Sequence, residues 1–133
     1  MASIKKEYFI AVPPLMVWES LTDPKQIDGW GAGPDVIMEM DEGGEFSLWG
    51  GDIHGKNLEI EPGLRLVQEW YTGSSKVPTE VTITVEADEQ DEEEGTKLTI
   101  IQADVADEDV EELDRGWDEF YAGPLKEYCE QVG

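Results

Sequence analysis

The sequence predicts an α+β fold: a curved antiparallel sheet of about six to seven strands around a long C-terminal helix, with two short helices after strand 1. Three observations carry this. Apolar residues alternate over residues 4–12 and again from 35 to about 104, the period of a strand. Between these stretches Leu15, Trp18 and Leu21 recur at helical spacing. From Asp107 onward one broad apolar stripe runs to the end of the chain.

In the first strand Ile4, Lys6, Tyr8, Ile10 and Val12 share one face, and Lys5, Glu7, Phe9 and Ala11 the other. Pro13-Pro14 ends it, because Pro suits the first turn of a helix and not a paired strand. The helix that follows carries Leu15, Val17, Trp18 and Leu21 and stops near Thr22. Asp23-Pro24-Lys25-Gln26 then reads as an N-cap, a Pro at the first helical position and a Gln three residues past the cap. This second short helix turns Ile27 and Trp30 inward and stops in the run from Gly29 to Gly33.

Val36, Met38 and Met40 alternate with mostly polar neighbours and open the long β region. Turn signals at Glu42-Gly43-Gly44, Gly50-Gly51-Asp52 and Glu61-Pro62-Gly63 separate the strands of Phe46 and Leu48, of Leu58 and Ile60, and of Leu66, Gln68 and Trp70. The faces of 64–71 are less distinct, with Val67 and Tyr71 opposing Leu66, Gln68 and Trp70. Val81, Ile83 and Val85 alternate with Thr82 and Thr84. The acidic run from Asp88 to Glu94, closed by Gly95, is expected to be a solvated hairpin tip, from which Leu98, Ile100 and Ile101 return. Short strands joined by turns give an antiparallel meander.

Asp107 is expected to cap the final helix, with Glu108, Asp109 and Glu111 placed where its dipole favours anions. Val110, Leu113, Trp117, Phe120, Tyr121, Leu125, Tyr128, Cys129 and Val132 form its apolar stripe. Pro124 lacks a backbone donor and is expected to kink the helix near Tyr121. A curved sheet wrapped around this helix would bury the stripe and leave a cleft between the two.

The 133 residues are enough to bury roughly two-thirds of the unfolded surface, so one domain over 1–133 is expected. With 32 Asp and Glu against nine Lys and Arg, the formal charge is −23. Nucleic acid and anionic membrane surfaces are excluded as partners, since both need a basic face. The same charge predicts easier unfolding at low salt. No run of about 18 apolar residues exists, so no membrane insertion is expected. The N-terminal residues carry no apolar signal segment, so the expected location is cytoplasmic. A single Cys leaves no intrachain disulfide and no multi-Cys metal site, and a monomer without cofactor is expected.

The run from Pro13 to Pro24, Pro-Pro-Leu-Met-Val-Trp-Glu-Ser-Leu-Thr-Asp-Pro, with Trp30 after it, resembles the opening of the START/SRPBCC superfamily. Gly43-Gly44-Glu45-Phe46 and the stretch from Gly55 to Pro62 leading to Trp70 look like its middle strands. Gly116-Trp117-Asp118-Glu119-Phe120-Tyr121, then Pro124-Leu125-Lys126-Glu127-Tyr128, looks like the last helix of the Aha-type branch, named for the C-terminal domain of the activator of the heat-shock protein 90 ATPase. The resemblance implies a helix-grip fold with an apolar cavity between sheet and helix. It also implies either of two functions: many superfamily members bind lipids, sterols or other hydrophobic molecules, and Aha-type proteins stimulate a chaperone. Those activators use an additional N-terminal domain for much of their chaperone contact.

Trp30, Met38, Trp49, Trp70, Trp117, Phe120, Tyr121 and Tyr128 are therefore the candidate ligand-binding residues, large side chains of which several end in a polar tip. Trp117 and Tyr121 lie four apart on one helix face and make the strongest pair. His54 is the only His and sits in a turn-prone stretch without readable catalytic partners. Cys129 lies on the apolar stripe and reads as a small hydrophobe. The acidic run lacks the spacing of a calcium loop. The leading expectation is non-enzymatic binding of a small hydrophobic ligand, lipid-like or aromatic. The second is a co-chaperone-like activator, which needs a chaperone with a basic face. An enzyme comes third, for want of a readable catalytic constellation.

Overall fold

The structure, a computed structural model, describes residues 2–72 and 77–132. Seven strands form one antiparallel sheet: β1 (Ala2–Ile10), β2 (Ile37–Met38), β3 (Glu45–Leu48), β4 (Ile53–Glu61), β5 (Arg65–Thr72), β6 (Thr79–Gln90) and β7 (Glu93–Val105). Their spatial order is β1-β7-β6-β5-β4-β3-β2, a meander whose first strand closes one edge by pairing with the last. After β1 come α1 (Pro14–Thr22) and α2 (Pro24–Ile27), the latter running into a π-turn over Asp28–Ala32. The C-terminal helix has three parts: α3 (Val110–Gly116), a π-turn over Trp117–Ala122, and α4 (Gly123–Val132). This is the expected α+β, helix-grip architecture.

The local signals work largely as read. Ile4, Ile10 and Val12 are buried on one face of the first segment. Asp23 caps α2: its Oδ1 accepts from the Lys25 backbone N–H at 3.1 Å, and Gln26 Nε2 donates to Oδ2 at 3.4 Å. Ile27 and Trp30 turn inward at 1% and 5% exposure.

Four details differ. Leu15 is 63% exposed, because α1 presents Val17, Trp18 and Leu21 to the core and leaves Leu15 on its solvent side. Asp107 opens a 3-10 turn over Asp107–Asp109 that leads into α3, and the N-cap position of that helix falls to Asp109. The acidic tip is narrower than expected. Glu89 pairs with Glu94 and Gln90 with Glu93, so only Asp91 and Glu92 turn, with φ of 51° and 67°. Two left-handed residues match the twist of a two-residue hairpin, and the strands carry their own charges up to it. Gly95 sits inside β7, where a Cβ would fall 2.4 Å from the Ile10 carbonyl oxygen.

The disturbance expected at Pro124 takes the form of a π-turn. The Gly123 N–H bonds the carbonyl of Asp118, five residues back, so one extra residue is accommodated before the proline. A Cβ on Gly123 would lie 2.2 Å from that carbonyl oxygen, which is why glycine occupies the position. The π-turn changes the phase of the stripe. Trp117, Tyr121 and Ala122 point into the core, while Phe120 and Val132 are 63% and 59% exposed. The core they meet comes from the inner face of the sheet, where Phe46, Leu66, Ile83, Leu98 and Ile100 are at most 1% exposed.

Candidate functional site

Between α3, the π-turn and the sheet lies a pocket of about 330 Å³ that opens to solvent. Its walls include Trp49, Ile53, Trp70, Leu113, Trp117, Phe120 and Tyr121. Gln102, Gly116, Asp52 and Glu112 complete the lining. The aromatic rings form one connected group. Trp117 is 4.9 Å from both Trp70 and Tyr121, centroid to centroid, and Trp49 is 6.4 Å from Tyr121. Edge and tilted contacts of this kind hold the rings in fixed orientations.

The sequence places each ring by simple rules. Trp70 alternates inward on β5 with Leu66 and Gln68. Trp117 and Tyr121 enter from the helix as the π-turn directs. Trp49 follows β3 in a short 3-10 turn over Trp49–Gly51, and its Nε1 donates to the Gly31 carbonyl at 3.0 Å.

Hydrogen bonds lock the indoles that are fully inside. Trp117 Nε1 donates to Gln102 Oε1 at 2.9 Å, and Gln102 Nε2 donates to Thr79 Oγ1 at 3.0 Å. Trp70 Nε1 donates to Gln68 Oε1 at 2.8 Å. Gln68 Nε2 reaches Asn57 Oδ1 at 2.9 Å, and Asn57 Nδ2 reaches the Glu39 carbonyl at 2.7 Å. Every buried polar side-chain atom among the described residues has a partner. Burial pushes the Tyr121 hydroxyl well above the ordinary tyrosine range, so it is neutral at any physiological pH.

Five of the eight residues singled out from sequence meet in this pocket: Trp49, Trp70, Trp117, Phe120 and Tyr121. The other three stand outside its wall. Trp30 backs Tyr121 at 4.9 Å and gives its Nε1 to the Ser20 carbonyl at 2.8 Å. Met38 packs against the core, its Sδ 3.7 Å from Asn57 Nδ2 and 3.8 Å from Gln68 Nε2. Tyr128 covers Gly29, where a Cβ would be 3.1 Å from its ring. Sequence reasoning missed Gln102, Gly116, Asp52, Ile53, Glu112 and Leu113. Gln102 had a signal, since it follows Ile100 on the inward phase of β7 and a polar residue there needs a partner.

The remaining candidates are placed elsewhere. His54 is exposed on β4 and stacks on Tyr71 at 5.6 Å. Cys129 is fully buried with its Sγ 3.4 Å from Ser20 Oγ, and burial raises its thiol above the usual value. No group of three or more His, Cys, Asp or Glu that could hold a metal occurs among the described residues. No helix among them is long and apolar enough to cross a membrane.

Fold and pocket together define a helix-grip protein of the SRPBCC type. A family model described as activator of Hsp90 ATPase homolog 1-like protein matches residues 11–130, and the chain belongs to that family. It is 36% identical over 85 residues to an activator of 90 kDa heat shock protein ATPase homolog of Dictyostelium discoideum, covering 62% of this chain and 21% of that protein. The chain thus spans about a fifth of that relative's length. Among solved structures, DynU16 from the dynemicin biosynthetic locus superposes with a TM-score of 0.82 at 23% identity, over 98% of this chain and 48% of that one. An HSP90 activator from Plasmodium falciparum superposes with a TM-score of 0.76 at 20% identity, over 99% of this chain and 96% of that one. Likeness at these identities concerns the fold.

Proposed function

We propose that the chain binds a small hydrophobic ligand, without turning it over, in the pocket between sheet and C-terminal helix. The observation that carries the reading is the pocket's lining, a set of aromatic and aliphatic walls with few polar groups. Its volume of about 330 Å³ lies at the small end of the range for ligand sites. Burial of apolar ligand surface, at about 25 cal/mol per Å², supplies the affinity. Orientation comes from rings whose own positions are held by Gln68 and Gln102. Binding to the folded state alone raises the melting temperature. The test is a thermal-shift screen with lipid-like and aromatic compounds, joined to native mass spectrometry of the purified protein. A ligand-dependent rise, or a co-purified hydrophobic molecule, supports the reading. A flat screen with a bare protein mass refutes it.

A second reading, activation of a heat-shock protein 90 ATPase, is supported by the family match over residues 11–130. With a charge of −23, the contact would need a basic face on the chaperone. An ATPase assay with a purified chaperone decides it: a rise in rate supports the reading, and an unchanged rate removes it.

A further inference from the structure

The pocket's charges are one-sided. Only Asp52 and Glu112 among its lining residues are ionisable at neutral pH, both are exposed, and they sit on opposite elements, before β4 and on α3. No cationic side chain is among the described residues that line it. The deep polar group, Gln102, gives its carbonyl to Trp117 and one of its two amide N–H donors to Thr79, which leaves at most one neutral donor and no positive charge for an anion. The walls between are aromatic rings, whose faces are negative and attract cations.

We infer that the ligand is a hydrophobic cation, an amine whose planar apolar body lies against Trp70, Trp117 and Tyr121 while its ammonium group lies at the mouth between Asp52 and Glu112. This rests on the pocket reading above and narrows it. A carboxylate with the same skeleton would bring a negative charge up to two carboxylates and find no cationic side chain in the lining to offset it. A neutral analogue would keep the apolar contacts and lose the mouth contact. The consequence is a ranking by charge, with amine ahead of alcohol and alcohol ahead of acid.

Three probes of one skeleton test it: 2-naphthylmethylamine, 2-naphthalenemethanol and 2-naphthoate, titrated against tryptophan fluorescence at fixed salt. The amine should bind on the order of tenfold more tightly than the alcohol, and the acid more weakly than either. In an Asp52→Asn/Glu112→Gln variant the preference for the amine should shrink to within about threefold, with the alcohol unaffected. An Asp91→Asn/Glu92→Gln variant carries the same charge change at the distant hairpin tip and should keep the wild-type preference. Equal binding of the three probes, or a preference lost equally in both variants, overturns the inference and leaves the pocket reading standing. Binding of none of the three, with melting temperature unmoved, counts against the pocket itself and takes the inference with it.

Discussion

The indole of Trp117 and the amide of Gln102 are joined by a 2.9 Å hydrogen bond that links the C-terminal helix to β7. Trp117 is 4% exposed and Gln102 is 1% exposed, so neither group can turn to water instead. The bond fixes the ring that forms the pocket's inner wall.

Gln102→Leu should therefore destabilise the protein by about 1–3 kcal/mol, the cost of a buried donor left without an acceptor. Urea denaturation measures it. Adding Trp117→Phe to that variant should cost less than the same change in the wild-type background, because the donor is then gone. Additive effects would mean that the two residues do not act as a pair.

Gly123→Ala and Gly116→Ala should behave oppositely although both lie in one helix. At Gly123 the new methyl meets the Asp118 carbonyl oxygen at 2.2 Å, and relief requires undoing the π-turn. A loss of about 2 kcal/mol or more is expected, in the range of overpacking costs. At Gly116 the nearest atom is Phe120 Cδ2 at 4.0 Å, and Ala there should be neutral or gain up to about 1 kcal/mol from helix propensity. Thermal melts of the two variants compare them directly.

The succession of strands and helices along the chain and the aromatic inventory were legible because burial imposes periods of two and 3.6 on apolar residues, whereas the pairing of β1 with β7 was not. The polar network was not: Gln68 and Gln102 share the inward phase of their strands, but a hydrophobic pattern names no partner for a polar side chain, neither the indoles of Trp70 and Trp117 nor the Asn57 amide that serves Gln68. A bulge between Asn57 and Glu59 hid the facing of β4: Leu58 is the unpaired extra residue and is 38% exposed, where strict alternation with Ile60 would bury it. The exposure of Phe120 follows from the π-turn, which shifts helical phase by one residue and leaves no mark in hydrophobic spacing. The pocket's two carboxylates could not be chosen from 32 acidic residues without the fold.

Acid should weaken the fold through Asp118. Tyr8 donates its hydroxyl to Asp118 at 2.7 Å, and this bond, with Lys6 at 3.2 Å, holds the carboxyl below its ordinary value. A depressed folded value stabilises above the unfolded value of about 4, and that contribution is lost as pH falls through the folded one. Urea midpoints between pH 6 and pH 2 should fall more steeply for the wild type than for Asp118→Asn. Parallel curves would contradict the assignment. At the alkaline end, burial raises Tyr8 and Tyr121, so their stabilising contribution is complete below about pH 10 and fades above it. Tyrosinate absorbance from these two should accompany unfolding.

Salt should raise the melting temperature. The charge of −23 is spread over one small fold, and screening relieves repulsion between exposed carboxylates. A melting temperature unchanged between 10 mM and about 1 M sodium chloride would show that the acidity carries no stability cost.

The most direct test of the pocket fills it without removing any wall. Gly116 lines the cavity, and a Cβ there meets nothing closer than 4.0 Å, so Gly116→Leu places a helix-compatible side chain in the space a ligand would use. Titration of 2-naphthalenemethanol into both proteins, read by tryptophan fluorescence and by melting temperature, is the measurement. The wild type should bind and be stabilised, whereas the variant should fold with an unliganded melting temperature at least as high and should not respond. A wild type that fails to bind, or a variant that binds equally well, would contradict the pocket reading.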